Sequence, residues 1–403
     1  MTTAAVHPSG RAAAPYTYVR RMSQIERGYL NAAATGVPQL IQMVVEGEGR
    51  IDAGELREAV RVATLAGPGL AVRRRGASWR ADGPPPSVTE LPYDAGYDLP
   101  FLRGDLDVVT GPVCEVALMT GQAREPADAT APAPVRLVVR ASHVVTDGRG
   151  LRQWIADVFR ALRGEEPVGA DSLVDDTHFR TAAGRVAPLE PPARRAGLPA
   201  ALGHGPSDGV PLWVRRRVAA PPSAVTARIA AALAGALPGD EGRLIVPVDL
   251  RRHDPAVRSS ANLTSQLVLD FTRDDTWSVL HGRLVRALLR KADVASLERD
   301  FLRRNPFANT LAEARGLDGT RFPCTAIVTD HGRIDLDDLS TGRFRPIAFY
   351  TLPMLVPYAE MFLSTCRIGD ETEVTLSCRD RAGAREAAER VLDAIERALT
   401  DGV

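Results

Sequence analysis

His143 and Asp147 are the residues of this chain whose types and spacing point most directly to chemistry. They lie in "SHVVTDGRG", after the apolar run "VRLVV" and just ahead of Gly148 and Gly150. An imidazole titrates near neutrality, so it takes a proton from an attacking amine or hydroxyl and returns it to a leaving group. Placed at a strand end before a tight loop, the ring would face a cleft; the plainer alternative is a buried structural histidine. The two glycines read equally as helix-start punctuation and as a close backbone approach to a ligand. In the second reading the Gly148 N–H helps to hold a developing oxyanion.

Elements on both sides must position that segment. Before it, "PVCEVALMT" and "VRLVVRAS" predict two strands of a hairpin, joined by the polar loop "GQAREPADATAPAP". After it, Leu151, Trp154, Ile155, Val158, Phe159 and Leu162 recur at helical spacing until Gly164, which predicts an amphipathic helix with a core-facing stripe. Upstream, Asp52 and Glu55 open a second helix in which Leu56, Val60 and Ala63 face inward. Further on, "RLIVPVDL" and "TSQLVLDF" read as strands, "DDTWSVLHGRLVRALLRKA" as a long helix, and "FPCTAIVTDHG" as a strand ending in a turn. "MFLSTCRIGDETEVTLSCR" reads as a hairpin around Gly369 and Asp370, and the final helix follows it. Between 183 and 211 the pattern dissolves into Pro and Gly, which predicts a linker. The expected organisation is 1–182, linker 183–211, then 212–403.

Composition narrows the class. Of the 403 residues 45% are hydrophobic and 25% charged, which suits a globular chain long enough for two domains. Fifty basic residues balance fifty acidic ones, so no basic excess points to nucleic acid. No apolar run reaches membrane length, and "MTTAAVHPSGRAAAPYTY" lacks the apolar centre of a secretion signal. It reads as a disordered arm. The scattered Cys114, Cys324, Cys366 and Cys378 form no CxxC pair and fit a reducing, cytoplasmic setting. Neither a phosphate loop nor an HExxH zinc motif occurs. The remaining histidines, His7, His178, His204, His253, His281 and His331, are read as belonging to a tail, loops or helices, without metal-ligand spacing.

The segment Ser142–Gly148 resembles the HxxxDG motif of the condensation-domain superfamily of acyltransferases, which includes chloramphenicol acetyltransferase. "VRRMSQIERGYL" resembles the opening LS..E segment of condensation domains, and "VVEGEGRIDAGELREAV" their first strand and helix. "PVDLRRHDPAVRSSANLTSQLVLD" resembles their later P-x-x-x-R…N segment through Pro247, Arg251 and Asn262. The first histidine of the usual pair is Ser142 here, and no DFGWG latch is found. The resemblance implies an α/β fold of two chloramphenicol-acetyltransferase-like subdomains in a V around a substrate tunnel. It implies His143 as general base, and Asp147 turned from the tunnel to pair with Arg251 or its neighbour Arg252. Ser142 then lines the tunnel or is a buried strand-end serine. Asn262 stands near the tunnel or only bridges backbone groups.

The implied donor is a pantetheine thioester, on an acyl or peptidyl carrier protein or on CoA. The acceptor is an amine or alcohol small molecule, in specialised-metabolite biosynthesis of the nonribosomal-peptide or antibiotic kind. No bound metal or redox cofactor is implied. A silent recruitment module and a tunnel reused for cyclisation are the alternatives.

Overall fold

The computed structural model describes residues 18–401 except 35, 37, 98, 122–132, 191–196, 208, 220–222 and 299–319. The expected N-terminal arm and most of the polar loop between the two hairpin strands therefore lie outside the described residues. The first half runs β1 (Val19–Arg21), α1 (Gln24–Ala33), β2 (Leu40–Gly49), α2 (Ala53–Ala66), β3 (Arg73–Arg75) and β4 (Ser78–Arg80). It continues through β5 (Ser87–Pro92), α3 (Pro100–Arg103), β6 (Cys114–Thr120), β7 (Pro134–Ser142), α4 (Gly148–Leu162) and α5 (Asp176–Ala183). The second half runs β8 (Leu198–Pro199), β9 (Pro211–Val218), α6 (Val225–Ala236), β10 (Glu241–Asp249), β11 (Thr264–Thr272), α7 (Trp277–Leu289) and α8 (Ala292–Ala295). It ends with β12 (Arg321–Phe322), β13 (Cys324–Ile334), β14 (Phe344–Thr351), β15 (Ala359–Ile368), β16 (Glu371–Arg379) and α9 (Ala384–Thr400).

Two large sheets organise these elements. The first has the order β14-β2-β7-β6-β5, and the second β11-β10-β13-β15-β16-β9. The expected hairpin is present, with β6 antiparallel to β7 and Val116 opposite Val139. The stripe on α4 is core as read: Leu151, Trp154, Ile155, Val158 and Phe159 are buried, and Phe159 stacks on Phe344 at 6.0 Å. Gly164, at φ 75, follows the end of that helix. In the second sheet Leu244, Val328, Leu363 and Leu376 join buried residues of α6, α7 and α9 in one apolar cluster. All four cysteines are free and buried.

Three features depart from the sequence reading. Residues 344–351 come late in the chain, yet as β14 they pair with β2 of the first sheet, Phe349 opposite Val45. The second half of the chain therefore lends one strand to the first sheet. Second, "FPCTAIVTDHG" does not end in a turn. β13 runs on to Ile334 through a register shift between Asp330 and Arg333, with Gly332 at φ 69. Such bulges re-aim side chains. The third is the position of His331, which is on this strand rather than in a tail, loop or helix. Between 184 and 210 the described chain holds only the two-residue β8 and one isolated bridge, His204 to Ala382, in keeping with the lost periodicity. Among the described residues no helix is long and apolar enough to cross a membrane.

Candidate active site

The loop between β7 and α4 is fixed by backbone bonds. The Ser142 N–H donates to Val113 O at 2.8 Å, and the His143 N–H to Gln39 O at 2.7 Å. The imidazole is half-buried, and its Nδ1 is 2.9 Å from the carbonyl oxygen of Thr146. A carbonyl only accepts, so Nδ1 carries the proton and Nε2 keeps its lone pair. Asn262 supports this from behind. Its Nδ2 donates to His143 O at 2.6 Å, and its 3.1 Å approach to Nδ1 sets two donors side by side without a bond. Burial pushes the His143 pKa below its ordinary value, against the opposing charge of Asp147. The ring is therefore neutral at pH 7, the form a base requires.

Asp147 faces away from the ring's task. It is the N-cap of α4, and its Oδ1 accepts from the Gly150 N–H at 2.8 Å. Its Oδ2 accepts from Arg251 Nη1 at 2.9 Å, the Leu263 N–H at 2.7 Å and Thr264 Oγ1 at 3.2 Å. Both members of the ion pair are 1% exposed. Burial alone would raise the carboxyl pKa. The Arg251 guanidinium and the N–H donors outweigh it and hold the group below the usual carboxylate range. Arg251 also donates to Asp249 Oδ1, Ser259 O and Ala261 O, each at 2.8 Å, which ties the loop to the second half of the chain. Arg252 instead reaches Asp293.

The glycines have separate reasons. A Cβ on Gly150 would lie 2.8 Å from Ser260 O, so the helix start packs directly against that backbone. A Cβ on Gly148 would lie 2.7 Å from Cε1 of His331. Gly148 is the first residue of α4, where backbone N–H groups have no partner within the helix.

A cavity of about 370 Å³ opens beside these groups. His143, Gly148, Arg149 and Arg152 line it from the first half, with Tyr29 of α1 and Leu40–Gln42 of β2. The second half contributes β10, β11, β13 and β15 through residues such as Pro247, Gln266, His331 and Ser364. Ser142 and Asn262 are not among the residues that line it, in keeping with the second of the two placements open for each. Both are buried, since Ser142 completes β7 and Asn262 backs the histidine.

Tyr29, His331 and Arg152 were not singled out by the sequence reading. The Tyr29 ring stacks on His143 at 4.4 Å, with its hydroxyl 3.5 Å from Nε2. Ser23 and Glu26 form a full capping box at the start of its helix, a signal that was legible in "SQIE". His331 is brought in by the bulge of β13. Burial, then the charges of Arg152 and His143, push its pKa down to about 4. Among the described residues no group of three or more His, Cys, Asp or Glu side chains is arranged to hold a metal ion.

With this geometry in hand, similarity to solved structures decides the fold. The starter condensation domain of rhizomide synthetase RzmA, a mutant in a "product-released" conformation, aligns with TM-score 0.63 at 15% identity. That alignment covers 95% of each chain. The chain has the condensation-domain fold. The condensation domain of Monacolin K polyketide synthase MokA aligns with TM-score 0.62 at 12% identity, over 96% of this chain and 98% of that one. An RzmA starter condensation domain mutant in complex with C8-CoA and Leu-SNAC aligns with TM-score 0.60 at 16% identity, over 95% of both. No protein-family model matches the sequence, and no curated protein matches it. Similarity at this level shows the condensation fold. What that fold does in this chain is argued from its own residues.

Proposed function

We propose that this protein is a condensation-type acyltransferase. It moves an acyl or aminoacyl group from a pantetheine thioester, on a carrier protein or CoA, to an amine or alcohol. The observation that carries this reading is the state of His143. Its Nδ1–H is committed to Thr146 O, its Nε2 keeps a lone pair that meets only the long 3.5 Å contact of the Tyr29 hydroxyl, and the ring lines a cavity between two sheets. The complex of an RzmA condensation domain with C8-CoA and Leu-SNAC supports a thioester donor.

In this reading Nε2 accepts the proton of the attacking N–H or O–H as the nucleophile bonds to the thioester carbonyl carbon. The carbonyl electron pair moves to oxygen, and the Gly148 N–H at the head of α4 stabilises that oxyanion. When the C–S bond breaks, the imidazolium returns its proton to the departing thiolate, which leaves as the thiol. Asp147 and Arg251 take no proton. They hold the loop that presents His143. The silent recruitment alternative predicts no product at all. Product mass spectrometry with acyl-CoA and acyl-carrier donors against amine and alcohol acceptors tests the reading. A product heavier than the acceptor by the acyl group supports it; recovery of unchanged acceptor across the panel, or an isomer cyclised without acyl gain, refutes it.

A further inference from the structure

The carboxylates around the cavity are already engaged. Asp147 is paired with Arg251. Asp249 takes Arg251 Nη1 at 2.8 Å and Arg149 Nε at 3.4 Å. Asp330 turns Oδ1 to the Gly332 N–H at 2.9 Å and to Thr365 Oγ1 at 3.2 Å. Arg152 is different. Its Nη1 donates to the carbonyl oxygen of His331 at 2.5 Å, and among the described residues no carboxylate lies within ion-pair distance of it. A guanidinium has five N–H donors, so one carbonyl leaves most of them unused. The side chain is partly buried on the cavity wall, and Arg149 beside it carries the same sign. Burial and that neighbour push the Arg152 pKa down, and the more distant charges of Asp249 and Asp330 offset this only in part. A cation taken out of water without a counter-ion is costly, and it is stabilised when an anion arrives.

We propose that Arg152, assisted by Arg149, binds a carboxylate of the substrate inside the cavity. This rests on the acyl-transfer reading and adds a substrate class to it. Arg152 is four residues along α4 from Gly148, a rise of about 6 Å. Arg152 and His143 line the same cavity. The planar fork suits a carboxylate held through two parallel bonds, which a lysine ammonium cannot reproduce. The carboxylate can belong to the acceptor, as in a free amino acid, or to the far end of the acyl chain, as in a dicarboxylic acyl group. Apolar lining by Ile25, Leu40, Ile327 and Phe362 suits an aliphatic body for either.

Calorimetric titration of the intact protein separates the two sources. The acceptor arm compares L-leucine with L-leucinamide. The donor arm compares glutaryl-CoA with pentanoyl-CoA. In one arm the carboxylate probe is expected to bind roughly 10- to 100-fold tighter than its neutral counterpart. That preference should vanish in Arg152→Met and fall in Arg152→Lys, which keeps the charge and serves if the Met variant does not fold. The arm that responds tells where the carboxylate resides. Equal affinities in both arms, or a preference that survives loss of the guanidinium, overturns the proposal. Binding needs no turnover, so a carboxylate preference in a protein that transfers no acyl group would retain this site and reject the reaction.

Discussion

Asp147→Asn is the substitution whose consequence is most closely fixed by geometry. The side chain keeps its shape, but one oxygen becomes an NH2 donor. Placed at the Oδ2 position, it faces Arg251 Nη1, the Leu263 N–H and Thr264 Oγ1, of which the first two are obligatory donors. Placed at the Oδ1 position, it faces the Gly150 N–H. Either orientation sets donor against donor, and both leave a buried guanidinium without its buried partner. Breaking a buried pair from one side costs about 3–5 kcal/mol. At about 2.1 cal/mol/K per residue, a chain of 403 residues has an unfolding entropy of about 0.85 kcal/mol/K. The expected fall in Tm is thus about 4–6 °C if the chain melts as one unit. Scanning calorimetry reads it directly. The Arg251→Gln change should cost a similar amount, and the double variant clearly less than the sum, because the second change removes a charge already stranded. Strict additivity, or an Asp147→Asn protein that melts like wild type while losing all turnover, would show that Asp147 acts chemically and that the loop-holding role is wrong.

Two further outcomes follow from the same contacts. His331 has a folded pKa near 4 against about 6.5 unfolded, so the unfolded chain binds the extra proton between those values. Stability should therefore decline as pH falls from about 6.5 to about 4, by at most about 3 kcal/mol from this group and less where water reaches the ring. His331→Phe should make that window shallower in urea titrations, leaving the part due to His143, whose folded pKa is also lowered, while the loss from Asp147, whose folded pKa is depressed, sets in as pH falls through the usual carboxylate range. A slope unchanged by His331→Phe would place the proton elsewhere. Gly148→Ala should destabilise by about 1–3 kcal/mol, since its Cβ would lie 2.7 Å from His331 Cε1 and the ring must move. The penalty should shrink in a His331→Ala background; an equal penalty there would make backbone strain the cause.

What was legible in the sequence was local. The α4 stripe and the β6–β7 hairpin could be read because periodicity and turn residues carry them in short windows, whereas the Asp147–Arg251 pair, 104 residues apart, was implied only by the family resemblance. Three things depended on contacts between distant residues. β14 has an ordinary strand pattern, and nothing in "FRPIAFYT" says that its partner is β2, some three hundred residues away. His331 looked like part of a turn because Asp330, Gly332 and their neighbours are turn-forming types. In the fold the same residues make a bulge that turns a strand side chain into the cavity. Tyr29 lies in the segment likened to the condensation-domain opening, and its stacking on His143 depends on how α1 is laid across the site. For Ser142 the sequence left two placements open, and the structure has the buried strand-end serine, since neighbours along a strand face opposite ways.

The central claim is that His143 is the base for attack on a thioester. The most direct test is single-turnover transfer from an acyl-loaded carrier or acyl-CoA to an alcohol acceptor, comparing wild type with His143→Ala shown to be folded by its melting curve. An alcohol is the decisive acceptor because, unlike an amine with a pKa near the working pH, it does not attack without losing its proton. The expected result is a rate lower by about 10²–10⁴-fold with the fold intact, since His143 lines the cavity rather than filling the core. An unchanged rate in the folded variant would contradict the assignment.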